Sequence, residues 1–231
     1  MGGGDKLFKK RKAKRLSGHG RKKPQRDPYD VVLIVCEGET EEKYFKGLVA
    51  ALQLNTANVR IPNNTRGSSP RNVVDFAISE YNETKEFDKV FCVIDKDSHS
   101  QYDEALDMVR RKKLRKKHSI HAITSVPCFE FWILLHYRMT TQSFYSDSGS
   151  ACERVIHEVK KYIPKYEKAA RKLFPMTEKK LDAGIENAEI VLKHCQSAGT
   201  DDPSTKIHEL VLYLKKLKQE KRKIGDKPRF F

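Results

Sequence analysis

The chain of 231 residues is long enough to bury a sizeable core, in one domain or in one domain plus a helical extension. Its 46 Lys and Arg against 31 Asp and Glu leave a net charge of +15, which points to a polyanionic partner, most simply nucleic acid. No apolar run reaches the ~18 residues of a spanning helix, no apolar core follows the basic N-terminus, and Lys6 breaks the myristoylation pattern, so no membrane segment, leader or lipid anchor is expected.

Residues 1–28 are rich in Gly, Lys and Arg and are read as a flexible basic arm; residues 1–30 hold 11 of the cations against Asp5, Asp27 and Asp30. The β-branched apolar run 31–36 predicts a central strand buried on both faces, delivering Glu37 at its carboxyl end. Gly38 is expected to turn the backbone sharply into a helix over 40–53, where Tyr44, Phe45, Leu48, Val49 and Leu52 recur at helical spacing. A short strand around 57–62 stops at Pro62 and a loop follows. Ser69-Pro70 then supplies an N-cap and a first-turn proline for a helix over 71–82. A second apolar run predicts a strand over 89–95, followed by a basic helix over 101–117 and a strand over 120–126.

Beyond Pro127 an aromatic-rich apolar helix covers 129–137, a polar loop 140–150, and helical patterns 152–173, 178–197 and 204–223. Alternating strand and helix imply an α/β fold with a doubly wound, mainly parallel four-stranded sheet over 29–138. Residues 139–231 form a C-terminal helical extension with a basic tail. Five cysteines without a C-x-x-C pair read as reduced, buried thiols of a cytoplasmic protein, with no disulfide framework or zinc site.

Ligands of open α/β sheets sit at the carboxyl ends of the strands, which here end in Glu37 and in Asp95-Lys96-Asp97. If the chain stays extended there, Asp95 and Asp97 share a face with Cα atoms roughly 6–7 Å apart, a spacing suited to gripping one Mg²⁺ or Mn²⁺. Glu37 is placed to join them as a metal ligand and to exchange a proton with an attacking water or a leaving oxygen. Glu41, one turn into the helix, is placed to complete a second metal site, although first-turn acids such as Glu39, Glu41 and Glu42 also suit the helix dipole alone. Arg66 and Arg71 flank a helix start, where a phosphate can be held. The run 110–117 has seven Lys or Arg in eight positions, including Arg110, Arg111, Lys112 and Lys113, and is read as a track for a phosphate backbone.

The segment 36–41, Cys-Glu-Gly-Glu-Thr-Glu, with Tyr44-Phe45 and Asp95-Lys96-Asp97, resembles the glutamate and DxD motifs of Toprim domains. The segment 125–136, Ser-Val-Pro-Cys-Phe-Glu-Phe-Trp-Ile-Leu-Leu-His, narrows the resemblance to the RloB-like family of prokaryotic Toprim proteins, over about residues 30 to 218. The resemblance implies a Toprim-like sheet, dependence on Mg²⁺ or Mn²⁺, a nuclease role in defence against phage, and an AAA-type ATPase partner. By position, Glu37 matches the acid/base glutamate, and Asp95 and Asp97 match the metal-binding aspartates. Glu130 falls near the same edge, either as a further ligand or as a hydrogen-bond anchor for the aromatic helix. His136 and Trp132 read as packed residues.

The expected function is therefore a metal-dependent phosphodiester hydrolase acting on DNA or RNA. One rival is a non-catalytic nucleic-acid-binding or sensor module working with the ATPase partner. Another is a haloacid dehalogenase-like phosphatase, with the first Asp as nucleophile. The oligomeric state is left open, a homodimer included.

Overall fold

The structure, a computed structural model, describes residues 29–97, 100–146 and 149–225; the basic arm read over 1–28 lies outside them. Strand β1 (Val32–Cys36) leads through helix α1 (Glu39–Ala51) to β2 (Val59–Arg60). Helix α2 (Pro70–Thr84) leads to β3 (Lys89–Asp95), and α3 (Tyr102–Arg111) to β4 (Ser119–Val126). There follow α4 (Glu130–Leu135), α5 (Ala151–Tyr162), α6 (Leu173–Thr177), a 3₁₀ turn (Glu178–Lys180), α7 (Leu181–Ala198), β5 (Ser204–Thr205) and α8 (Ile207–Gly225).

The sheet order is β2-β1-β3-β4-β5, with the first four strands parallel. The fold is thus α/β, but with five strands rather than the four expected. Strand β5 runs antiparallel to β4 and has only two residues, both polar, so it leaves no period-two apolar signal in the sequence.

Both faces of the central strands are buried, as their unbroken apolar runs require. Val32, Ile34, Phe91, Val93 and Ile123 face a layer that includes α1 and α4, with residues from α5 through α8 joining the same core. Leu33, Val35, Val90, Cys92 and Ile94 face α2 and α3. The C-terminal helices are therefore one of the two layers that cover the sheet.

Local chemistry sets most helix ends. Ser69 Oγ accepts from the Asn72 N–H at 3.3 Å and Pro70 opens α2. Helix α5 is capped by Ser150 and ends ahead of Pro164, well short of 173, because the residue before a proline is pushed out of helical conformation. Helix α3 stops at Arg111 instead of running to 117: Lys112 has already left it, with ψ 114. The cations that follow stand at successive positions, where a continued helix would crowd like charges. No helix among the described residues is long and apolar enough to cross a membrane.

Candidate active site

Strands β1 and β3 pair with Cys36 opposite Val93, so their carboxyl ends lie side by side. The Glu37 N–H donates to Val93 O at 3.1 Å, and the Glu37 side chain reaches across to accept the Asp95 N–H on Oε2, also at 3.1 Å. Asp95 Oδ2 accepts the Phe129 N–H at 2.9 Å, which brings the connection from β4 to α4 against the same edge. The other oxygen, Oδ1, is sealed from solvent and has no hydrogen-bond partner among the described residues.

Asp97 departs from the expected geometry. Strand β3 ends at Asp95, the Asp97 N–H is captured by Pro127 O at 2.8 Å, and Asp97 sits at φ 25 in the left-handed region. The extended Asp-x-Asp with both side chains on one face is not formed, because the β4–α4 connection has already pulled the chain into a turn. Lys96 pairs with Asp201 at 2.8 Å and ties the same turn to the segment entering β5. Asp97 still acts on Glu37, whose carboxyl its charge helps to raise.

Gly38 also plays a different part from the one expected. Its φ of −132 and ψ of 175 are open to any residue, so no sharp turn demands glycine. A Cβ there would stand 3.0 Å from Glu41 Oε2. The glycine leaves room for the Glu41 carboxylate to fold back over the helix start. Glu41 is buried, and its Oε2 has no hydrogen-bond partner among the described residues.

Glu130 opens α4 and is buried. Its Oε1 accepts the Tyr166 hydroxyl at 3.1 Å and lies 3.8 Å from the Lys168 ammonium, while the Cys152 thiol meets Oε2 at 3.5 Å. Tyr166 and Lys168 are not foreseen in the sequence reading. They lie in the connector after α5, within the stretch 152–173 expected to be helical, which the chain leaves at Ile163. What brings them here is Ala169, whose N–H donates to Thr40 Oγ1 at 3.0 Å and whose carbonyl accepts Lys43 Nζ at 2.9 Å.

The acids act on one another. Burial, then Glu41 and Asp97, push the Glu37 carboxyl up to about 7, against the opposing hydrogen bond from the Asp95 backbone. Burial, then Glu130, push Glu41 up to about 7, against the backbone N–H groups of Glu41 and Gly38 at the helix start and the Lys168 ammonium, which work the other way. Asp95 is driven well above the carboxylate range by burial, then by Glu41, Glu37 and Glu130. Burial alone would lower the Lys168 ammonium, but Glu130 and the neighbouring thiols raise it. Two buried carboxylate oxygens, Asp95 Oδ1 and Glu41 Oε2, are without hydrogen-bond partners among the described residues and are donors of the kind a hard divalent cation takes, although no three of these acids bring donor atoms within 4.8 Å of one another.

Among the described residues, the group that does bring three such donor atoms within 4.8 Å of one another is Cys128, Glu130 and Cys152. That cluster is served by the chain itself. Burial, then Cys152 and Glu130, raise the Cys128 thiol, and Lys168 Nζ stands 3.6 Å from Cys152 Sγ. All five cysteines are free and buried, as read from their spacing. His136 is packed against Trp132 with ring centroids 4.5 Å apart, and burial lowers it to about 4, so it is neutral at pH 7.

The basic candidates divide by location. Arg66 and Arg71 lie where α2 begins, but the Arg66 guanidinium runs back along α2, nine residues from its start, and no contact among the described residues brings either arginine to the acids. Arg66 donates to Ser79 Oγ at 3.0 Å, whereas Arg71 joins α2 to α3 through Asp75 at 3.6 Å and Glu104 at 3.1 Å. Arg110 and Arg111 both pair with Asp107, and with Lys112 and Lys113 they lie on the return to the start of β4. Ser119 is opposite Lys89 and Ser125 opposite Asp95, so the start of β4 is roughly 20 Å along the strand from the carboxylates. The structure does not bring this cationic run to the acids.

A family model described as RloB-like protein matches residues 32–214, which takes in every acid of this cluster and both strands that deliver it. No curated protein and no solved structure matches the chain.

Proposed function

The chain belongs to the RloB-like family, and from that premise we propose that it is a Mg²⁺- or Mn²⁺-dependent nuclease with a Toprim-like sheet, hydrolysing phosphodiester bonds of DNA or RNA in prokaryotic defence against phage. The observation that carries the reading is the convergence of Glu37, Glu41, Asp95 and Glu130, with Asp95 Oδ1 and Glu41 Oε2 buried and without donors among the described residues. Asp95 and Glu41 would hold the cation, with Asp97 and Glu130 at its margin. When bound, the cation neutralises charge on the phosphate oxygens.

Glu37 is the proton-handling residue. Before a cation binds, burial and the charges of Glu41 and Asp97 hold its carboxyl at about 7, and a cation on Asp95 and Glu41 would lower it toward a form that accepts a proton. The Asp95 N–H fixes one of its oxygens and so aims the other. Arg66, on the loop ahead of α2, would contact the polynucleotide backbone along that helix.

The test is nicking of plasmid and cleavage of tRNA with Mg²⁺ or Mn²⁺, comparing wild type with Glu37→Gln and Asp95→Asn. A loss of about 100-fold or more is expected in each variant. Equal activity in all three proteins removes the catalytic assignment. Salt-sensitive nucleic-acid binding that is the same in all three, with no turnover in any, would favour a binding module instead.

A further inference from the structure

Strand β4 is covered by β5 for only two of its eight residues, at Ser125 and Val126. The Ser119 N–H donates to Asp88 O at 3.0 Å, and Ser125 O accepts the Lys96 N–H at 2.9 Å, so odd-numbered positions bond toward β3. The alternation of the strand turns the N–H and C=O of Ile120, Ala122 and Thr124 the other way. Thr124 O is taken by the Lys206 N–H at 2.8 Å, after which α8 turns onto the sheet face, where Tyr213 packs against Phe91. Ile120 and Ala122 open instead onto a groove of about 1040 Å³ that runs along residues 119–124. Leu106 and Val109 from α3 and Leu192 from α7 form apolar walls, and the run 112–117 with Lys206 makes a cationic rim that outweighs Asp201 and Glu209.

We propose that this groove binds an extended acidic segment of another protein, which adds to the sheet as a strand alongside residues 119–124 of β4. Main-chain donors and acceptors in a row give such a site its affinity, and the flanking walls and charges give it selectivity. The basic N-terminal arm of the chain has the wrong sign, with 11 cations against three acids in residues 1–30. A second copy paired edge to edge would set the cationic run against itself. A nucleic acid would use the rim, but it makes no sheet ladder with Ile120 and Ala122 and leaves the apolar walls unmatched. The groove runs along β4 away from the carboxylates, so the inference stands or falls independently of the nuclease reading.

The test uses the full chain and a fluorescent peptide, Glu-Val-Glu-Thr-Glu-Val-Glu-Thr, read by anisotropy at low salt and by amide hydrogen exchange. Saturable binding is expected, with slowed exchange at Ile120 and Ala122 and no binding of a peptide with Lys in place of Glu. Ala122→Pro removes one outward N–H and leaves the bonds to β3 intact, a substitution that edge strands tolerate. It should weaken binding about tenfold while leaving cleavage and Tm nearly unchanged. Ile120→Pro serves the same purpose should Ala122→Pro fold poorly, and Lys116→Glu with Lys117→Glu should weaken binding to a similar degree. The proposal is overturned if the peptide fails to bind at about 1 mM. It is equally overturned if both proline variants bind like wild type, or if an oligothymidylate displaces the peptide and binds both variants unchanged.

Discussion

Replacing Glu41 by Gln in metal-free buffer tests the electrostatics of the acid cluster directly. The Glu41 carboxyl is buried and held at about 7 in the fold, against 4.5 ordinarily. The native state therefore binds this proton more tightly than the unfolded chain does. That contribution to stability is fully present below about pH 4.5, falls as pH rises, and is lost above about 7. At about 1.36 kcal/mol for each pH unit between the two values, the ceiling is about 3 kcal/mol. The charges of Glu130 and Glu41 act on this cluster together, so removing one relaxes the carboxyls that remain, and about half of that ceiling is the expected gain. For a domain of this size, Glu41→Gln should melt about 3–6 °C above wild type at pH 8 and level with it near pH 4.5, by scanning fluorimetry in EDTA. Millimolar Mg²⁺ or Mn²⁺ should stabilise wild type and narrow or reverse the gap. A variant that melts below wild type by the same margin at every pH would refute the reasoning, because Glu41 would then be an ordinary first-turn acid.

Three further outcomes follow from packing and charge. Gly38→Ala places a methyl 3.0 Å from Glu41 Oε2, so Mn²⁺ affinity, followed by electron paramagnetic resonance, should fall several-fold, with a stability change below about 1 kcal/mol. Gly47→Ala sets a methyl 2.8 Å from Phe174 Cβ, where α1 meets α6; overpacking of about 1–3 kcal/mol outweighs the roughly 1 kcal/mol that alanine gains in a helix, so Tm should drop. Arg66→Ala should weaken nucleic-acid binding and lower its salt slope by about one, whereas Arg71→Ala, already committed to Asp75 and Glu104, should leave both unchanged.

The sheet was legible because its strands are doubly buried. The apolar runs of β1 and β3 mark those elements to within a residue or so, and β4 follows from the strand–helix alternation, whereas Ser204–Thr205 carries no such mark. Glu37 and Asp95 were legible for the same reason, since a parallel strand points its last residue at the ligand edge. Glu41 was ambiguous, because an acid in the first turn of a helix has a sufficient local explanation in the dipole. Only the fold shows its carboxylate turned inward over Gly38. Tyr166 and Lys168 were beyond reach. Their position depends on two hydrogen bonds between a connector and a helix 126 and 129 residues earlier, and nothing local encodes that.

Those two bonds at Ala169 make the connector a tether. A fragment cut after residue 140 would keep every strand-end acid and the edge that aligns them, yet lose the ammonium facing Glu130 and the phenol that orients it. The proton balance of the sheet edge is thus set partly by a stretch of chain that contributes no strand. Loosening that stretch would alter the chemistry without moving an acid.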